Sequence, residues 1–125
     1  MRKRVLIVDD NQDAADSLAQ LLQLDGHETQ AAYSSRQALE HVQLFGPDIM
    51  LLDIGLPEMN GYEIAKALRL RPSLDHLRLI AVTGYGQAID RLFALTAGFN
   101  DHLMKPLDIA ALRRAMAGSA STHPA

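Results

Sequence analysis

Residues 51–61 read LLDIGLPEMNG. Asp53 stands directly behind an apolar run, after which Gly55, Pro57 and Gly61 break the chain. The run that leads into it, IMLL (49–52), is apolar without polar alternation, the pattern of a strand covered on both faces. VLIV (5–8) and LIAV (79–82) repeat that pattern, and TQAAY (29–33) and DHLM (101–104) are weaker strand candidates. Helical periodicity fills the intervals, with Leu18, Leu21 and Leu22 on one face, Ile64, Ala67 and Leu68 on another, and Ile109, Leu112 and Met116 near the end. Capping residues agree: Ser34 stands three before Gln37, Asn60 three before Glu63, and Asp108 opens the last helix after Pro106. The reading is a strand followed by a helix, five times over. Right-handed crossovers then predict an α/β fold with a doubly wound parallel sheet in the order 2-1-3-4-5 and helices on both faces.

Composition bounds the rest. The chain has 125 residues, 48% hydrophobic and 22% charged, which suits one domain with a full core. The domain is expected over residues 1–118, and 119–125, within GSASTHPA, are expected to form a disordered tail. No stretch approaches the length of a membrane span and MRKRVLIVDD is too short a leader, so a cytoplasmic protein with no membrane insertion is expected. The absence of cysteine excludes disulfides, thiolate metal sites and cysteine nucleophiles. A net charge of −3 argues against direct binding of nucleic acid, and Arg2, Lys3 and Arg4 read as a solvated lead into the first strand.

The polar residues that end the strands carry the chemistry. The first ends in Asp9 and Asp10, the third in Asp53, the fourth in Thr83 and the fifth in Lys105. Carboxyl ends of parallel strands share one edge, and strands 1 and 3 adjoin at the switch point where such sheets bind ligands. Asp9, Asp10 and Asp53 are therefore expected to converge. Three carboxylates together either rise in pKa or take a cation, and Mg²⁺ suits oxygen ligands. With Thr83 as a hydroxyl donor and Lys105 as an ammonium, the site is a receptacle for a phosphoryl group, and Asp53 is its nucleophile. Gly84 lets its N–H approach a phosphoryl oxygen, and the turn lets Gly55 present a carbonyl to the metal.

VLIVDDN, LLDIGLPEMNGYE, AVTG and HLMKPLD, at these separations, strongly resemble the receiver (CheY-like) domain of two-component response regulators, over about residues 4–117. The resemblance implies a flavodoxin-like three-layer sandwich and transfer of a phosphoryl group to Asp53 from a histidine kinase or a histidine phosphotransfer domain. It implies Asp10 as a direct Mg²⁺ ligand, Asp9 as a ligand through water and the Gly55 carbonyl as a further one. Thr83 and Lys105 would hold phosphoryl oxygens and couple them to output, and the Lys105–Pro106 bond is one the family often holds cis. VTGYGQ and AGFNDHLMKP look especially like receivers attached to hybrid sensor kinases. The family tunes water access at the positions of Gly55 and Tyr85. It commonly carries Tyr or Phe where this chain has His102, so the expected switch pair is Thr83 and His102. The face of the fourth helix, fifth strand and fifth helix is the expected output surface and the place for a homodimer. Such a domain is a switch that catalyses only its own phosphorylation and dephosphorylation.

Other readings compete. A phosphohydrolase of the haloacid dehalogenase kind also uses a strand-end aspartate, but wants a second Asp where Gly55 stands, and a cap domain. A phosphorylation-independent adaptor would have no use for three repelling aspartates. GYG (84–86) lacks the third glycine of a dinucleotide loop, which Ile89 replaces. His27, His41, His76 and His123 read as surface residues, and Met50, Met104 and Met116 as core filler.

Overall fold

The computed structural model describes residues 2–84 and 91–118. The expectations concerning Tyr85, the glycine pattern through Gly86 and Ile89, His123 and the tail 119–125 lie outside the described residues. Five parallel strands, β1 (Arg4–Val8), β2 (Glu28–Ala32), β3 (Ile49–Asp53), β4 (Arg78–Thr83) and β5 (Asp101–Met104), pair in the order β2-β1-β3-β4-β5. Among the described residues five α-helices alternate with them: α1 (Gln12–Leu24), α2 (Ser35–Phe45), α3 (Gly61–Arg69), α4 (Arg91–Ala97) and α5 (Ile109–Met116). This is the expected doubly wound order. No helix among the described residues is long and apolar enough to cross a membrane.

Strand alternation decides which helices each residue meets. Val5, Ile7, Ile49, Leu51, Ile80 and Val82 face α1 and α5. Leu6, Val8, Met50, Leu52, Leu79 and Ala81 face α2, α3 and α4. Both sets are fully buried, which is why the three central strands read as unbroken apolar runs. The edge strands β2 and β5 are only partly covered, and their sequences are correspondingly mixed.

Local signals set the helix ends. Asn60 and Glu63 form a reciprocal capping box, with N–H···O distances of 3.1 and 3.0 Å. Ser34 caps α2 through the Gln37 N–H, whereas the Gln37 side chain accepts from the Tyr33 N–H instead of returning to Ser34. Asp108 caps α5, and Asn11 caps α1.

Three expectations are corrected. The buried stripe of α1 is Ala15, Ala19 and Leu22, with Leu18 and Leu21 only partly covered, because small residues let the helix lie close to the sheet. His27 is 9% exposed, and its Nδ1 accepts the Lys3 N–H at 3.0 Å, so backbone pairing buries an imidazole that composition places outside. Met104 is 59% exposed, because it ends an edge strand that no further strand pairs with among the described residues.

Two arginines tie distant elements together. Arg69 donates to Gly98 O at 3.0 Å, Leu74 O at 3.0 Å and Asn100 Oδ1 at 2.9 Å. The same Asn100 oxygen accepts the Leu79 N–H at 2.8 Å. Gly98 has φ +114°, and a Cβ there would overlap Arg69 Cγ, so glycine is required both by the backbone and by the clamp. Arg113 grips Asp25 with two hydrogen bonds of 3.0 Å, joining α5 to the end of α1. Phe93 packs on Tyr62 at 4.6 Å between ring centroids and ties α4 to α3.

Candidate functional site

The residues that end β1, β3 and β4, with Lys105 after β5, meet at the carboxyl edge of the sheet. The register places Val8 beside Leu52 and Asp53 beside Val82, so Asp9 and Asp53 leave neighbouring strands at the same level. Oxygens of Asp9, Asp10 and Asp53 lie within 4.8 Å of one another. Lys105 Nζ is 2.8 Å from Asp9 Oδ2 and 3.5 Å from Asp53 Oδ2. Lys105 is held in turn by its own N–H, which donates to Thr83 O at 2.8 Å, and its bond to Pro106 is cis.

Backbone donors orient the acids. Asn11 N–H donates to Asp9 Oδ1 at 3.0 Å, and Gly55 N–H donates to Asp53 Oδ1 at 2.8 Å. The contact at Gly55 was not read from the sequence, which pointed to its carbonyl; a turn of two residues back onto an aspartate was the available signal. Gly61 supports the same corner. A Cβ there would lie 2.8 Å from Ile54 Cα and 3.2 Å from Asp53 O, so only glycine lets α3 begin this close to the end of β3.

The electrostatics follow from burial. Asp53 is mostly buried, and desolvation raises its pKa against the opposing pull of the Gly55 N–H and the Lys105 charge; Asp9 adds to the rise. Burial alone would lower Lys105, but its hydrogen bond to Asp9 and the charges of Asp53 and Asp9 outweigh that and hold it up. Thr83 is 1% exposed, and its Oγ1 is buried with no hydrogen-bond partner among the described residues. Buried hydroxyls are seldom left in this state, since most buried polar atoms are paired. Gly84 follows it, half-exposed. His102 lies apart from the acids, half-buried beside Ala81 of β4 and lining a groove with Ala94, Leu95 and Phe99. The donor set, three carboxylates of oxygen ligands around one edge, fits a hard divalent cation such as Mg²⁺.

A doubly wound sheet with an acidic pocket at its switch point, backed by a lysine and a buried threonine, places a polar site where such sheets bind ligands. The chain belongs to the response regulator receiver domain family, whose pattern it matches over residues 5–117. It is 36% identical over 106 residues to the DNA-binding response regulator MtrA of Mycobacterium tuberculosis, covering 85% of this chain and 45% of that protein. It is also 36% identical over 104 residues to an uncharacterized 14.6 kDa protein in the sodA1 3' region of Leptolyngbya boryana, covering 83% and 79%. The chain thus spans less than half the length of MtrA. Among solved structures, a CheY-like receiver domain protein from Methanospirillum hungatei superposes with TM-score 0.81 at 34% identity, over 94% of this chain and 92% of that one. The receiver domain of a signal transduction histidine kinase from Syntrophus aciditrophicus superposes with TM-score 0.80 at 28% identity, over 98% and 96%. Receiver domains of this family are signalling switches that take part in two-component transduction with histidine kinases or phosphotransfer proteins.

Proposed function

We propose that Asp53 accepts a phosphoryl group from the phosphohistidine of a histidine kinase or phosphotransfer domain, and that the modification switches partner binding. The observation that carries this is the pairing of a three-carboxylate cluster with a buried Thr83 hydroxyl that has no partner among the described residues. Asp10 directly, Asp9 through water, Asp53 and the Gly55 carbonyl would hold Mg²⁺, which supplies charge neutralisation for the phosphoryl oxygens. An Asp53 carboxylate oxygen forms the new O–P bond as the P–N bond to the donor imidazole breaks, and the imidazole keeps the electron pair. Lys105 releases its hold on Asp9 and pairs with a phosphoryl oxygen, and Gly84 N–H donates to another. Thr83 Oγ1 gains the acceptor it lacks, which draws the end of β4 toward Asp53 and transmits the event to α4 and to His102 on β5.

The receiver unit is residues 1–118, and its compartment is the cytoplasm, where such kinases transfer phosphate. The α4-β5-α5 face is its output and self-association surface, supported by Leu95 and Met104, which are 67% and 59% exposed there. Attachment to a hybrid kinase is the wider setting supported by the Syntrophus likeness. Intact-mass measurement after incubation with a small phosphodonor tests the reading: one phosphoryl group is expected with Mg²⁺, none with a chelator, and none for Asp53→Asn. Labelling of the Asn variant at the wild-type level would overturn it.

A further inference from the structure

Between α1 and the loop joining β5 to α5 runs an open cleft of about 250 Å³. Ile7, Leu51 and Val82 of the sheet form its floor. Leu18 of α1 stands on one side, with Pro106 and Leu107 on the other. Among the described residues its polar lining is Asp9, Asp53 and Lys105, which are in mutual contact. Asp10, exposed and in no ion pair among the described residues, joins the same cluster. Three carboxylates against one ammonium leave this end of the cleft with an excess of negative charge.

We propose that the cleft binds a small amphiphilic cation, a primary arylalkyl- or alkylammonium, with its apolar part against Ile7, Leu18, Val82 and Leu107 and its ammonium among the three aspartates. The apolar surface selects an apolar body. Cavities of ~150 Å³ lined by aliphatic side chains hold benzene, so this cleft has room for a phenyl ring and its linker. The charge selects the head. An anion would meet net repulsion and compete for Lys105, and a neutral head would cover the carboxylates without replacing their hydration. Asp10 supplies the acceptor that Lys105 leaves unused. An ammonium seated there occupies the oxygens that the proposed metal requires, so amine and Mg²⁺ exclude one another, each weakening the other by the same factor. This exclusion rests on the metal-dependent reading above; the binding itself does not.

The test is methyl-resolved NMR of the full chain in chelator, titrated with phenethylamine, and with phenylacetate, 2-phenylethanol and methylamine as controls. Saturable shifts are expected at Ile7, Leu18, Val82 and Leu107, with phenethylamine bound about tenfold or more tighter than any control. Leu18→Gln and Leu107→Ser should each weaken it severalfold while the protein still melts cooperatively. Added Mg²⁺ should raise the apparent Kd in proportion to its concentration. No saturable shift up to about 20 mM amine, or equal binding of phenylacetate, would overturn the proposal. Amine binding that ignores Mg²⁺ would overturn the exclusion. Absence of phosphoryl labelling in the amine-free protein with Mg²⁺, with amine binding in chelator intact, would count against the phosphotransfer reading alone.

Discussion

Substituting Thr83→Val separates the threonine's effect on the resting protein from its effect on the switch. The residue is 1% exposed, and its hydroxyl has no acceptor or donor among the described residues. Valine keeps the branched shape and removes the orphaned group. An unsatisfied buried hydroxyl costs about 1–3 kcal/mol, so the low end, about 1 kcal/mol, is the expected gain in stability. For 125 residues the unfolding entropy is about 0.26 kcal/mol/K, which makes that gain about 4 °C in Tm. Circular dichroism melts in chelator should therefore place the variant above wild type. With Mg²⁺ and beryllofluoride as a phosphoryl mimic the order should reverse, because wild type gains a charge-assisted hydrogen bond of about 1.5–3 kcal/mol that valine cannot make. A valine variant that melts below wild type in chelator would show that the hydroxyl is already satisfied in the resting fold, and the argument for its role would fail.

Asp53, whose pKa burial raises, contributes stability below its unfolded pKa that is lost as pH rises through the folded one. In chelator at neutral pH, Asp53→Asn should therefore melt higher than wild type, and the gap should close as pH falls toward the ordinary carboxylate range of about 4; a gap constant with pH would contradict this. Mg²⁺ at a hundred times its Kd should stabilise by about 2.7 kcal/mol, and Asp10→Asn should remove most of that gain in a thermal-shift titration. Gly61→Ala forces a Cβ against Ile54 Cα and should destabilise by about 1–3 kcal/mol in denaturant unfolding, since backbone rather than a flexible side chain must yield.

The sheet order was legible because β1, β3 and β4 are covered on both faces, which writes an unbroken apolar run into each. The convergence of Asp9, Asp53 and Lys105 was legible from topology alone, although Asp9 and Lys105 lie 96 positions apart. What was not legible depends on contacts that no periodicity encodes. His27 is buried by one backbone hydrogen bond, and Met104 is exposed by its place on an edge strand. The leucines of α1 drew the eye, while Ala15 and Ala19 do the packing, because closeness to the sheet matters more there than hydrophobic size. Gly61 reads as a chain breaker, and its close approach to Asp53 O appears only when α3 is set against β3. The Gly55 N–H that bonds Asp53 belongs to a local turn, for which the sequence pointed to the Gly55 carbonyl instead.

The clamp that Arg69 places on Gly98 and Asn100 gives α4 a fulcrum. Seven residues of helix span about 10 Å, with the far end held by the Arg69 clamp and Phe93, near the start, resting on Tyr62. A pull on the chain beyond Thr83 would then swing α4 rather than slide it. Displacement would be least at Ala97, beside the clamp, so the tilt of the Phe93 ring on Tyr62 would report any rotation of α4. Cutting the pivot with Arg69→Ala would turn rotation into drift: the helix would still respond, but without a fixed direction for a partner to read.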